Sequence, residues 1–311
     1  MKLYSIFFLA ILQVHFCTAQ EIVSEAVNLS NGPIKIPGTL KYQKFKKDAP
    51  LVIYIPGSGN VDRNGNQAGA NVNANYIRQL SDTIVANGIA FFSYDKRTAT
   101  PENLKFNIKD ARFEYLAEDV NIIIDHFKED TRFEKIILIG HSQGSLVGML
   151  VADERVDKYI SLAGLSQTME EAIVRQISAQ NKDFGELAAA HFKELNETDT
   201  ILKVNPFLAA IFNPLNHSFL KSYNAYNPVK EIKKVKIPTL IINGESDLQV
   251  RVEDAQALHA AKPDAELILI PDMNHVLKEV ANLAENQRSY QNGDFPISPK
   301  LIEALIEFIK K

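Results

Sequence analysis

The chain has 311 residues, 46% hydrophobic and 23% charged, with a formal net charge of -4, which suits one large globular domain or two small ones with a sizeable core. The slight acidity and the scattered lysines and arginines leave no general electrostatic case for nucleic acid. The absence of tryptophan argues weakly against a sugar-stacking module, and a single cysteine, Cys17, excludes a disulfide framework.

Met1-Lys2 supplies one positive charge, Leu3 to Phe16 is almost wholly apolar, and Cys17-Thr18-Ala19 is a run of small residues ahead of Gln20. This order predicts a secretory signal peptide over residues 1–19, cleaved after Ala19, and hence a periplasmic or extracellular protein. The apolar run is short of the roughly 20 residues needed to span a bilayer, so no stable membrane anchor is expected after cleavage. Phe16 stands where a lipoprotein signal at Cys17 requires a small residue. Loss of Cys17 with the leader also removes any thiol nucleophile.

In residues 20–311, read as one domain, Val23–Leu29 and Ile34–Tyr42 are predicted strands around the turn Ser30-Asn31-Gly32-Pro33, close enough for an antiparallel edge hairpin. Leu51–Ile55 is a continuous apolar run, the pattern of a strand buried on both faces, and it ends at Pro56-Gly57-Ser58-Gly59. Helical spacing follows over Tyr76–Ala86, a buried strand over Ile89–Tyr94, and a helix over Phe113–Phe127. Lys135–Ile139 is the next strand, Ser142–Val151 a helix starting directly after it, and Tyr159–Ala163 a sixth strand. Strands at Pro238–Asn243 and Leu267–Ile270 complete the set, with helices at Val252–Ala261 and Pro299–Lys310. The alternation predicts an α/β fold, a mostly parallel eight-stranded sheet with helices on both faces. Residues of about 165–227 hold only helical stretches, around Met169–Asn181, Phe184–Leu195, Ile201–Phe212 and Phe219–Tyr226. An insert of that size after the sixth strand is expected to form a helical lid over the strand ends.

Gly140-His141-Ser142-Gln143-Gly144 fits the G-x-S-x-G elbow, in which a sharp strand-to-helix turn holds the serine hydroxyl above the sheet. Its context, Ile136–Ile139 before and Ser145–Leu150 after, is the strand and helix that the pattern requires. The serine hydroxyl needs a base, and histidine is the usual one near neutral pH. His15 leaves with the leader, and His141 is expected to point away from the nucleophile. His126 and His259 fall on covering helices, and His191 and His217 on the insert. His275, in the loop after the last strand, remains. The acid belongs between the two in chain order; Asp247, after the seventh strand, is favoured over Glu245 and Asp272 for its reach. The oxyanion donors are expected to be the backbone N–H of Gln143 and that of Ser58, with Gly57 and Gly59 as neighbours able to replace the latter.

These motifs, with Asp62-Arg63, Tyr94-Asp95-Lys96-Arg97-Thr98, Asn243–Asp247 followed by Gln249-Val250, and Asn274-His275, resemble the lid-bearing carboxylesterase and serine-aminopeptidase-like branch of the α/β-hydrolase superfamily. The resemblance covers essentially the whole mature length and implies Ser142, Asp247 and His275 as a triad. Pro56-Gly57 stands where many relatives have His-Gly, which bears on the Ser58 assignment. Asp62, Arg63, Asp95 and Arg97 are read as an ion-pair brace behind the active site. The expected activity is carboxylic-ester hydrolysis on a small-molecule substrate, without metal or other cofactor, since no ligand spacing such as H-E-x-x-H occurs. Phe184, Phe192, Phe207, Phe212 and Phe219 could line an apolar pocket or form the insert's own core. Peptide or amide hydrolysis is the nearest alternative, with Glu170, Glu171 and Glu197 as carboxylates for a free amino terminus; a non-catalytic binding protein is a further one.

Overall fold

The apolar runs become strands because every backbone N–H and C=O in them can be paired within the sheet while both faces are covered. The computed structural model describes residues 21–44, 46–106 and 111–311, so the expected leader lies outside the described residues. Eight strands form one sheet: β1 (Ile22–Asn31), β2 (Ile34–Gln43), β3 (Ala49–Ile55), β4 (Ala90–Tyr94), β5 (Phe133–His141), β6 (Lys158–Leu162), β7 (Thr239–Gly244) and β8 (Glu266–Ile270). Their spatial order is β1-β2-β4-β3-β5-β6-β7-β8. β1/β2 and β2/β4 are antiparallel and the other neighbours parallel.

Alternation along β3 divides the core. Leu51, Ile53 and Ile55 face one apolar layer and Val52 and Tyr54 the other. Helices α1 (Tyr76–Ala86) and α11 (Pro299–Lys310) cover the Val52 side through Ile77, Leu80, Ile84, Leu301 and Leu305. Helices α2 (Glu114–Lys128), α3 (Gln143–Val151), α8 (Pro228–Ile232) and α9 (Val252–Ala261) cover the Leu51 side through residues such as Val120, Ile124, Val147, Ile232 and Leu258.

The chain leaves β3 toward β4 on one side and later enters β5 on the other. Strand order therefore reverses at β3, and the loops after β3 and β5 diverge there to open a crevice at the carboxyl ends of the strands. That reversal places the Pro56–Gly59 loop beside Ser142.

Between β6 and β7 lie α4 (Met169–Gln180), α5 (Lys182–Thr198), the short α6 (Ala209–Phe212) and α7 (His217–Asn224). The expected helix over Ile201–Phe212 is shorter: it begins with a 3-10 turn at Pro206–Leu208 and continues as α6. Asn205 sets that start, its side chain accepting from the Phe207 N–H, and Pro206 fits the first helical position. Sequence periodicity also missed α8, α10 (Leu283–Ser289) and a small hairpin pairing Asn66–Gln67 with Val72–Asn73, all too short for a periodic signal.

Candidate active site

Ser142 sits between β5 and α3 with φ 54° and ψ -120°, a region that side chains rarely enter. The glycines two positions to either side permit this. A Cβ on Gly140 would run into the Gly144 carbonyl, and one on Gly144 would strike the Ile55 carbonyl and approach that of Pro56 to 2.7 Å. The turn is held by Ser142 N–H donating to the Leu162 carbonyl of β6 at 2.9 Å. Gly57 packs so closely that its own Cβ would stand 3.1 Å from Ser142 Cβ.

His275 and Asp247 come from the loops after β8 and β7. Nδ1 of His275 donates to Asp247 Oδ2 at 2.7 Å, and both side chains are buried. The other carboxylate oxygen accepts the N–H groups of Gln249 (2.8 Å) and Val250 (2.9 Å), so the acid is fixed before the histidine adds its bond. An ionised carboxylate only accepts, so this geometry puts the imidazole proton on Nδ1 and leaves Nε2 as a bare acceptor. Glu245 and Asp272, the rival carboxylates, are exposed. Ser142 and His275 line the same cavity, of about 970 Å³, together with Ser58 and Gln143. Gln143 is the first residue of α3, where backbone N–H groups have no partner within the helix. Ser58 is exposed on the cavity wall.

A family model described as BD-FAE matches residues 40–261. The chain belongs to the BD-FAE family. Among solved structures it is similar to Est1E from Butyrivibrio proteoclasticus, at 18% identity and a TM-score of 0.59 over 92% of this chain and 99% of that one; Est1E is also known with ferulic acid bound. It is similar, too, to the enol-lactonase from Burkholderia xenovorans LB400 (14% identity, TM-score 0.55, 92% of this chain and 100% of that one). A third is the acylaminoacyl peptidase of Pyrococcus horikoshii (14% identity, TM-score 0.58), for which 93% of this chain matches 41% of the longer protein. A probable proline iminopeptidase of Leptolyngbya boryana is 42% identical over 48 residues, 15% of each chain. These likenesses place the chain in the α/β-hydrolase superfamily. The span matched by the BD-FAE model contains Ser58, Ser142 and Asp247 and stops short of His275.

In this BD-FAE chain several site residues have no local signature. His141 packs on His275. Its ring lines the cavity with a centroid 4.8 Å from that of His275, and its Nε2–H donates to the His275 carbonyl at 2.9 Å. Burial, then the neighbouring His275, hold its pKa well below the ordinary histidine range, so it is a neutral prop. Lys96 is buried, and its ammonium reaches the Gly57 carbonyl (2.7 Å) and Gln143 Oε1 (2.9 Å). Burial pushes its pKa down to about 7 against an upward pull from Asp119. Asn286 ties the Asp247 loop to the His275 loop, donating to the Ser246 carbonyl (2.7 Å) and accepting from Asn274 (3.1 Å). Lys278, next to this turn, is buried and donates to Gln79 and to the Phe295 carbonyl (2.6 Å).

The charged residues of the resemblance divide differently from one brace. Arg63 pairs with Asp95 through two hydrogen bonds, and Asp62 caps its own loop by accepting the N–H groups of Asn64 and Asn66. Arg97 instead pairs with Asp119 of α2 at 2.6 and 2.7 Å, largely out of solvent.

Of the phenylalanines between β6 and β7, Phe219 lines the cavity. Phe192 and Phe212 pack on each other in the core (centroids 4.8 Å apart), and Phe207 is 80% exposed, its ring 5.3 Å from that of Phe184. Glu170 accepts from Asn196 and Asn224, Glu171 closes the capping box of α4, and Glu197 is exposed near Lys193. None of the three lines the cavity.

Proposed function

We propose that this chain is a serine hydrolase acting on carboxylic esters. The observation that carries this reading is the Asp247–His275 hydrogen bond, which turns Nε2 into an acceptor on the wall of the cavity where the strained turn exposes Ser142. In the proposed sequence, Ser142 Oγ attacks the ester carbonyl carbon while His275 Nε2 takes the hydroxyl proton. The carbonyl oxygen becomes an oxyanion that receives the N–H groups of Ser58 and Gln143. Collapse breaks the bond to the alcohol, and the imidazolium returns its proton to the departing oxygen. Water then attacks the acyl-serine, gives its proton to Nε2, and releases the acid as that proton returns to Ser142. Asp247 stabilises the imidazolium without taking the proton.

Esters are favoured over amino-terminal peptides by the charge of the cavity wall. An α-ammonium group needs carboxylates, and no Asp or Glu is among the described residues lining the cavity. Leu165, Met169, Ile173, Ile211 and Phe219 offer apolar surface for an acyl group, and the segment of residues 165–227 acts as a lid in this reading. The cavity has room for an aromatic acid such as the ferulic acid held by Est1E. Residues 1–19 are proposed to direct export.

A chain-length series of p-nitrophenyl esters, with an amino-acid p-nitroanilide alongside, tests this reading. Ester turnover and covalent fluorophosphonate labelling are expected, both lost in Ser142→Ala. Faster anilide than ester cleavage would sink the esterase reading, and labelling that persists in Ser142→Ala would move the nucleophile elsewhere.

A further inference from the structure

The buried amine of Lys96 bonds the carbonyl that precedes the Ser58 N–H and the side chain of Gln143, the two residues whose N–H groups the proposed reaction uses to hold negative charge. Lys96 follows β4, and its main chain is anchored by N–H donation to the Val61 carbonyl (3.2 Å) and by the Ala99 N–H on its own carbonyl (2.8 Å). From there its side chain runs inward, and Nζ donates to the Gly57 carbonyl on one side and to the Gln143 side chain on the other. Those acceptors lie 39 and 47 residues away along the chain, on the loop after β3 and at the start of α3. They belong to the two segments from which the proposed oxyanion donors come.

The peptide between Gly57 and Ser58 is trans, so its C=O and N–H point in opposite directions across one plane. The Lys96 amine, held on the Gly57 oxygen, therefore leaves the Ser58 N–H pointing away from Lys96. It also polarises that amide, making its N–H a stronger donor. Tyr223 of α7 lies on the other side of Gln143 in the cavity lining. Tyr223 is itself pinned by stacking on Phe113, with ring centroids 4.2 Å apart and planes 3° apart. Apart from the two histidine rings, Lys96 is the one ionisable cation among the described residues lining the cavity, and both hydrogen-bond partners of its Nζ are neutral oxygens.

We propose that Lys96 is a positioning residue of the oxyanion site, clamping the Gly57–Ser58 peptide and Gln143 so that both N–H groups converge on the tetrahedral oxygen. This rests on the serine-hydrolase reading above and adds to it a side chain whose two hydrogen bonds go to protein groups of the oxyanion segments.

The test compares Lys96→Met and Lys96→Gln with wild type, using a p-nitrophenyl ester and an arylboronic acid as a tetrahedral mimic. Binding of the free carboxylic acid product to each variant serves as the ground-state control. Loss of the clamp is expected to lower kcat by about 10²–10³, the range for removing one oxyanion donor, with KM within about threefold. Boronate affinity should fall with kcat/KM while product affinity holds, and Lys96→Gln, which keeps one donor without the charge, should recover part of the loss. Far-UV dichroism and fluorophosphonate labelling of Ser142 establish that each variant is folded and retains its nucleophile.

A Lys96→Met enzyme with kcat within threefold of wild type would overturn the clamp. So would a loss of kcat with unchanged boronate affinity. If Lys96→Met fails to fold, the Lys96→Gln comparison carries the test on the same two criteria. Wild type that is not labelled at Ser142 would refute the serine-hydrolase reading itself, an outcome distinct from a labelled variant with an undiminished rate.

Discussion

Asp247 has two duties in the structure, and two substitutions separate them. Its Oδ2 accepts a hydrogen bond from His275 Nδ1–H, and its Oδ1 accepts those of the Gln249 and Val250 N–H groups. Asp247→Asn keeps an oxygen for the two backbone donors, so stability should stay within about 1–2 kcal/mol of wild type. Its amide nitrogen then faces His275 Nδ1, which must accept, moving the ring proton to Nε2. A protonated Nε2 cannot take the Ser142 proton, and kcat should fall by about 10⁴, roughly 5.5 kcal/mol in the barrier. Asp247→Ala loses the same activity and in addition strands both backbone donors. At about 1–3 kcal/mol for each, reduced for the partly exposed Gln249, the added loss of stability is about 2–5 kcal/mol. Steady-state hydrolysis of a p-nitrophenyl ester reads the first effect and urea denaturation the second. An Asn variant keeping a tenth or more of kcat would refute the tautomer argument, and equal stabilities for Asn and Ala would refute the assignment of Oδ1.

Lys96 couples the site to pH. Its folded pKa of about 7 lies below the unfolded value of 10.5, so the unfolded chain binds more protons between these limits and stability rises with pH across that window. Between pH 8 and 9.5 wild type should gain about 1 kcal/mol per pH unit over Lys96→Met, read as the difference in urea stability; parallel curves would contradict it. Gly144→Ala should prevent a native elbow, because the new Cβ meets two backbone carbonyls that cannot step aside. Gly32→Ala, at φ +56° in open space, should cost only about 1–2 kcal/mol by thermal denaturation. Asp119→Ala leaves the Arg97 charge largely buried and should lose about 3–5 kcal/mol in urea, whereas Asp82→Ala, at an exposed pair with Lys41, should lose under about 1 kcal/mol. Asn286→Ala removes the side-chain tie between the Ser246 and Asn274 loops, leaving the backbone bonds between them, and should lower kcat by about tenfold with KM little changed, as steady-state kinetics would show.

Much of the frame is written locally. Leu51–Ile55 and Ile136–Ile139 read as buried strands because an apolar run without a polar face has nowhere else to go, and the elbow reads as one because only glycine fits where Gly140 and Gly144 meet other backbone. His275 emerged by elimination, and a carboxylate after the seventh strand was expected from chain order alone. What the chain could not reveal by local pattern is which groups meet across long separations. Asp247 prevailed over Glu245 because the β7 and β8 loops are zipped together, Glu245 N–H to the Ile270 carbonyl and Ser246 N–H to the Met273 carbonyl, which buries one side chain and leaves the other in solvent. His141 lies next to Ser142 in sequence, yet its packing against His275 needs a contact spanning 134 residues. Arg97 could have met Asp95, two residues away, and instead meets Asp119 on α2. Lys96 belongs to the Tyr94–Thr98 motif, but its place between the Gly57 loop and the start of α3 comes only from the reversal of strand order at β3. Periodicity and steric exclusion act over a few residues and are legible in the chain. The partners of a buried charge are chosen by the desolvation that tertiary packing imposes, and only the folded structure decides them.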